Sequence, residues 1–272
     1  MTALTFTLQK TLRFAINCSA LTPNHLADKS LAEIASIMLP YGKNQLRVDE
    51  IFSISGENRQ VIHFKNSSAA LNYLGANMSS GEIHIAGDAG AYLGFGLKQG
   101  RIHCHGSSLA FAACNMQNGL IQIDGNTGDF LGGASAGLRK GMCGGLVLVK
   151  GNAGDRVGDQ MRRGLILIEG EAGDYCASRM IAGTIGVLGQ VGSYAGFNMR
   201  RGTLLLAKPA ELHATMQNCG THTLPFLSLM FKSFAGLDSK FASVSTQRVQ
   251  RFVGDAACMG QGEILLMSAN NA

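Results

Sequence analysis

The stretch Gly164-Leu165-Ile166-Leu167-Ile168-Glu169-Gly170-Glu171-Ala172-Gly173-Asp174-Tyr175-Cys176-Ala177-Ser178-Arg179-Met180-Ile181-Ala182-Gly183 is one unit of a repeat. It opens on Gly164 and carries two apolar residues two apart, Ile166 and Ile168. It then passes Gly170, Gly173 and Met180 before the next opening glycine, Gly183. Working outward, the opening glycines are Gly81, Gly100, Gly119, Gly145, Gly164, Gly183 and Gly202, at gaps of 19, 19, 26, 19, 19 and 19 residues. A fixed period in this range marks a stacked repeat.

The apolar pairs recur as Ile83 and Ile85, Ile102 and Cys104, Ile121 and Ile123, Val147 and Val149, Ile166 and Ile168, Ile185 and Val187, Leu204 and Leu206. Strict alternation over a short run bounded by glycines predicts a half-buried strand. Equivalent positions meet in every repeat, so one apolar column runs through strands stacked ~4.8 Å apart. Glycines six and nine places after the opening one, such as Gly151 and Gly154, mark sharp corners. Met78, Met116, Met161, Met180 and Met199 recur as adaptable filler for one core corner.

Competing repeat architectures fail on the residues. There is no Leu-x-Leu-x-x-Asn pattern and no Asp-rich nonapeptide. A hexapeptide register started at Ile83 lands on Ala89, Phe95 and Arg101. A parallel β-helix with a 19-residue coil remains.

Residues 1–58 read as an N-terminal cap, 59–207 as the β-helix and 208–272 as a C-terminal covering segment, because the end of a repeat stack exposes apolar surface. In the cap, residues 4–8 alternate as a strand and 23–39 read as a helix with a Ser30–Glu33 capping box, stopped by Pro40. Leu46 to Ser55 reads as a second strand. Residues 61–80 form a worn first repeat in which Ile62 and Phe64 align with Ile83 and Ile85. Leu224 to Phe231 leads into a covering helix or irregular apolar segment. Arg248 to Met267 reads as two strands joined at Gly260-Gln261-Gly262.

Hydrophobic residues make up 46% of the 272, enough for a core, and the net charge is a modest +5. No apolar run is long enough to span a membrane, and the start lacks the features of a secretory signal, so a cytoplasmic protein is expected. The seven cysteines make no Cys-x-x-Cys and read as buried thiols. Without Trp or a recognition-helix motif, nucleic acid is not an expected partner.

Two outward columns carry information. One holds His63, His84, His103, Gln122, Leu148, Leu167, Gly186 and Leu205. Three imidazoles in one flat column are poor tetrahedral geometry, so no metal is expected. Leu120, Leu146, Leu148, Leu165 and Leu167 also point outward, and contiguous outward leucines mean contact with a covering segment or another subunit. The other column precedes each opening glycine and becomes basic in its later part. Arg162, Arg163, Arg200 and Arg201 lie there, with Arg139 and Lys140 in the neighbouring bulge, where the Gly119 coil gains seven residues within 132–144. These six are the candidate contacts for an anionic carrier or an acidic partner.

No catalytic residue is expected. There is no Gly-x-Ser-x-Gly, His-Glu-x-x-His or phosphate loop. Asp129, Asp155 and Asp174 each follow a glycine directly, which is turn chemistry.

Gly141-Met142-Cys143-Gly144-Gly145, Gly151-Asn152-Ala153-Gly154-Asp155, Met180-Ile181-Ala182-Gly183-Thr184-Ile185, Met199-Arg200-Arg201-Gly202-Thr203 and the ending Arg251-Phe252-Val253-Gly254-Asp255 with Gly260-Gln261-Gly262-Glu263 are similar to the C-component family of formylmethanofuran dehydrogenase. The resemblance covers the repeats and the C-terminal tail. It implies an all-β, right-handed parallel β-helix of about seven rungs, of the glycine-rich GXGXG type, with small α/β caps. It also implies a non-catalytic scaffold for the sister components A, B and D, with no cofactor in this chain. The complex would use a methanofuran-type carrier and tetrahydromethanopterin. The basic charge and the N-terminal cap favour the bacterial formyltransferase/hydrolase branch, whose carrier has a polyglutamate tail. The archaeal CO2-reducing branch and a glutamate-synthase-like bridging domain remain as alternatives.

Overall fold

The computed structural model describes residues 2–267. The first residues alternate as expected: β1 (Ala3–Leu8) buries Leu4 and Phe6. A short strand β2 (Ile16–Asn17) follows, then the one-turn helix α1 (Pro23–Leu26) and α2 (Leu31–Ala35). Ser30 Oγ accepts the Glu33 N–H while the Glu33 carboxylate accepts the Ser30 N–H, so the capping box forms. The helix is shorter than the sequence implied. Residues Met38–Tyr41 are a strand, β3, hairpinned to β4 (Asn44–Arg47), and Pro40 sits inside β3 instead of ending a helix. The expected strand from Leu46 to Ser55 is likewise broken by α3 (Val48–Ile51), leaving β5 (Phe52–Ser55).

The repeats then supply β6 (Asn58–Ser67), β7 (Leu71–Asn72), β8 (Glu82–Gly87), β9 (Arg101–Cys104), β10 (Leu120–Ile123), β11 (Cys143–Val149), β12 (Arg163–Ile168), β13 (Thr184–Val187) and β14 (Arg201–Leu206). After them come β15 (Gln217–Thr223), α4 (Phe226–Phe234), a 3-10 turn (Lys240–Ser243), β16 (Arg248–Gly254) and β17 (Gln261–Met267). The last hairpin turns at 255–260, and Gln261 and Gly262 already belong to β17.

Thirteen strands form one sheet in the order β15-β16-β17-β14-β13-β12-β11-β10-β9-β8-β6-β1-β5, and β4-β3-β2-β7 form a second. From β1 through β17 the neighbours are parallel, while β5, β15 and β16 pair antiparallel. The architecture is therefore mixed α/β, and the all-β right-handed parallel β-helix with small caps is not what forms. A 19-residue period reports only the repeated strands. It carries no information on what the aperiodic ends build, and those ends supply α1–α4 and three of the four strands of the second sheet, which is completed by β7 from the first repeat.

Within the large sheet the register follows the repeat. Ile62 pairs with Ile83, Ile83 with Ile102, Ile102 with Ile121, and on through Val147, Ile166, Ile185 and Leu204 to Ile264. All seven inward pairs are buried, as is the methionine column. A second line of parallel bridges runs Ala89–Ser108–Thr127–Ala153–Ala172–Val191. At the N-terminal end Phe6 stacks on Phe64 with centroids 5.3 Å apart, and Phe52 packs edge-on against both.

The opening glycines are required by geometry. Gly100 has φ +109°, and a Cβ there would lie 2.6 Å from the carbonyl oxygen of Gly81. Polar corner residues are consumed by the backbone of the next repeat: Asp129 Oδ1 accepts the Asp155 N–H, Asp155 that of Asp174, and Asp174 that of Ser193.

A further column was not anticipated. Tyr73, Tyr92, Phe111 and Phe130 stack at 4.6–4.9 Å, Arg156 continues the line, and Tyr175 stacks on Tyr194 at 4.9 Å. Among the described residues no helix is long and apolar enough to cross a membrane.

Candidate functional site

The outer face of the large sheet changes character along its length. In its later part Leu148, Leu167 and Leu205 are buried beneath Leu227, Phe231, Phe234 and Phe241, with Val249 and Leu265 completing the cluster. The cover comes from this chain, through α4 and the 3-10 turn. Leu148, Leu167 and Leu205 are therefore covered from within the chain, while Leu120, Leu146 and Leu165 are partly buried against the same cluster. Phe234 meets Phe231 and Phe241 edge-on at 5.9 and 6.2 Å, a favourable aromatic arrangement.

Between α4 and the 3-10 turn the covering segment is held by an ion pair. Lys150 Nζ lies 2.7 Å from Asp238 Oδ2 and 3.2 Å from Asp124 Oδ1, and Gln122 Nε2 donates to both carboxylates. On the other side Asp124 Oδ2 accepts from His103 Nε2 at 2.8 Å and from His105 Nδ1 at 3.1 Å. Burial alone would raise the Asp124 carboxyl, but the hydrogen bonds from Gln122, His103 and Lys150 outweigh it and bring it down to about 2. Beyond the ion pair the face carries the partly exposed His103, His84 and His63, which α4 does not reach. His105 and Asp124 stand 19 residues apart, at equivalent repeat positions, so the period itself held the signal for their contact.

The insertion in the 26-residue repeat lies at one edge. Its backbone is pinned to the next repeat, where Ala134 N donates to Asp159 O and Gly141 N to Gln160 O. Asp159 is itself buried, held by Ser178 Oγ and by the Arg179 guanidinium. Gly137, Leu138, Arg139, Lys140 and Gly141 line an open cavity of about 730 Å³ with Asn115, Gln117 and Cys143. Asn115 Nδ2 donates to Ser135 Oγ, while its buried Oδ1 has no hydrogen-bond partner among the described residues.

The structure brings Arg139 and Lys140 together at this cavity. Arg163 pairs in register with Cys143 on its wall. Arg200 and Arg201 lie farther off. Arg162, Ile181 and Arg200 occupy equivalent positions, donating their N–H groups to the Met142, Met161 and Met180 carbonyls. One repeat thus separates the two arginine pairs, or roughly 10 Å at the strand spacing. All six basic residues are exposed, and among the described residues none makes an ion pair.

All seven cysteines are free. Burial pushes the Cys104, Cys114 and Cys176 thiols up to about 12, which suits packing and not nucleophilic work. Cys219, by contrast, is exposed, and Cys143 and Cys258 are partly buried, so the expectation of buried thiols holds for four of the seven.

A model of the GXGXG motif family matches residues 43–225, about two-thirds of the chain. The chain belongs to the GXGXG motif family. Among solved structures, a chain of the formyltransferase/hydrolase complex FhcABCD from Methylorubrum extorquens, determined in complex with methylofuran, is similar to this GXGXG protein. The TM-score is 0.93 at 35% sequence identity, covering 97% of this chain and 99% of that one. The GXGXG protein is thus a relative of that polypeptide along its whole length. No curated protein matches it. The GXGXG match stops just before α4, so the segment that covers the leucine face lies outside the motif region.

Proposed function

We propose that this GXGXG protein is the structural C component of a formyltransferase/hydrolase complex of one-carbon metabolism. In this reading it holds the catalytic sister components A, B and D in position in the cytoplasm and makes or breaks no bonds itself. The observation that carries the proposal is the end-to-end similarity to a chain of FhcABCD, at 97% and 99% coverage. The chemistry of the chain agrees with it. The corner carboxylates accept backbone N–H groups, and buried Asp159 is bound by Ser178 and Arg179. The complex would act on a methanofuran-type carrier and tetrahydromethanopterin, neither of them resident in this chain.

Within that reading, the exposed edge of Arg139, Lys140, Arg162, Arg163, Arg200 and Arg201 attracts the polyglutamate tail of the carrier. An unpaired cationic edge raises the local concentration of a polyanion and speeds its encounter. The test is reconstitution. Complex assembled without this chain should lose its integrity and its formyl-transfer activity, and adding the chain back should restore both. Formyl transfer catalysed by the purified chain alone would overturn the proposal.

A further inference from the structure

The histidines at the open end of the outer face are not an isolated column. His84 and His103 are Cα partners on neighbouring parallel strands, and His105 follows His103 by two residues, which returns its side chain to the same face. One ring nitrogen from each of the three lies within 4.8 Å of those from the other two. The flat arrangement that argued against a metal in the sequence consisted of His63, His84 and His103. His105 breaks the line and turns it into a triangle, with its ring centroid 4.0 Å from that of His103.

We propose that His84, His103 and His105 form a binding site for a single divalent transition-metal ion of the zinc and cobalt(II) class. Nitrogens bound at ~2.0–2.1 Å to one tetrahedral ion sit roughly 3.3–3.4 Å apart, so modest side-chain rotation closes the set around it. Imidazole donors select zinc, cobalt, nickel or copper over magnesium and calcium, which require oxygen ligands. Asp124 supplies the support that ligand histidines usually have. Its Oδ2 accepts from one nitrogen of both His103 and His105, fixing the ring orientations and raising the donor strength of the rings. Its Oδ1 is held in turn by Gln122 and Lys150, so the carboxylate is itself immobilised. Glu82, whose Oε2 lies 3.5 Å from His84 Nε2, adds negative charge at the third ring. The three imidazoles are partly exposed, which gives an ion a path in, and a three-histidine set leaves one coordination position for water.

The experiment uses a tagless, full-length chain stripped with chelator, titrated with Co2+ by visible absorption and with Zn2+ by calorimetry. The expected result is one equivalent of each ion, with Co2+ giving the intense visible bands of a tetrahedral site. His84→Gln and His105→Gln should each weaken binding at least tenfold. Asp124→Asn should weaken it ~10–100-fold while keeping the stoichiometry. Far-UV circular dichroism checks the fold of each variant. Should His84→Gln unfold, His105→Gln decides, since that side chain is half exposed just past the end of β9. Failure of the native chain to take up an equivalent of either ion would overturn the proposal, and so would wild-type affinity in His105→Gln.

Discussion

Phe241 lies directly over Gly186, the one position between Leu148 and Leu205 in the outward column that lacks a side chain. A Cβ on Gly186 would sit 2.9 Å from Phe241 Cε1 and 2.9 Å from Leu167 Cδ2. The absent side chain is thus the socket for the covering segment. Gly186 has an ordinary backbone conformation, so Gly186→Val tests space and not strain. It should destabilise the chain by about 1–3 kcal/mol through overpacking, and Phe241→Ala by about 3–5 kcal/mol through the void it leaves. Urea denaturation gives both numbers. Limited proteolysis should also cut faster between residues 224 and 247 in either variant.

Reversing charge at Arg162, Arg163, Arg200 and Arg201 together should slow capture of a polyglutamate-tailed carrier about tenfold or more at low ionic strength. The deficit should shrink as salt is added, because exposed charges are screened beyond a Debye length of roughly 10 Å at 0.1 M. Association kinetics at several salt concentrations check this. Unchanged carrier binding and complex assembly at low salt would remove the basic edge from the account.

The Asp124 carboxyl is held at about 2, below the unfolded value of roughly 3.9. A carboxylate lowered in the folded state contributes stability that is complete above the unfolded pKa and is lost as pH falls through the folded one. Wild type should therefore lose stability more steeply than Asp124→Asn between about pH 4 and pH 2. Thermal unfolding in matched buffers measures the two slopes. Parallel slopes would mean that the contacts to His103 and Lys150 do not persist in solution.

Arg156 stands where six other repeats carry an aromatic ring, with its guanidinium 4.5 Å from the Tyr175 centroid and 5.9 Å from that of Phe130. Arg156→Tyr should complete the stack: two new ring pairs at about 0.5–1.5 kcal/mol each exceed the cation–π attraction they replace by roughly 0.5–1 kcal/mol. Arg156→Ala should lose about 0.5–2 kcal/mol of cation–π attraction. Midpoints of chemical denaturation should order the three proteins as Tyr, Arg, Ala at this position.

The repeated strands were legible because their signal is local and redundant. Ile83 and Ile85 alternate by themselves, and the same alternation returns every 19 residues to the same buried column. The aromatic column from Tyr73 to Tyr194 was equally periodic but is overshadowed by the glycines beside it. The ends had no period to lean on. Ile34, Ile37 and Met38 have helical spacing, yet the hairpin from Met38 to Arg47 pairs Leu39 with Leu46 and takes the end of that run into a strand. In the stretch from Leu46 to Ser55, Glu50 accepts the Arg47 N–H and helps to start α3. The outward orientation of the leucines was readable. Their cover was not, because Leu167 and Phe241 are far apart in sequence and only the folded chain joins them. The histidine cluster sits between these cases: His84 and His103 share a column in plain view, while His105 needed its partner Asp124 to reveal it.

The 26-residue repeat absorbs its extra residues at one edge and leaves Ile121 paired with Val147 as though nothing had been added. Length in this molecule therefore comes in fixed increments. Residues added or lost within a repeat go sideways, and only a whole repeat moves the two ends relative to each other, by ~4.8 Å. A chain of this kind works as a ruler with indivisible graduations. Bodies attached near β5 and near β15 can change their separation only in discrete steps.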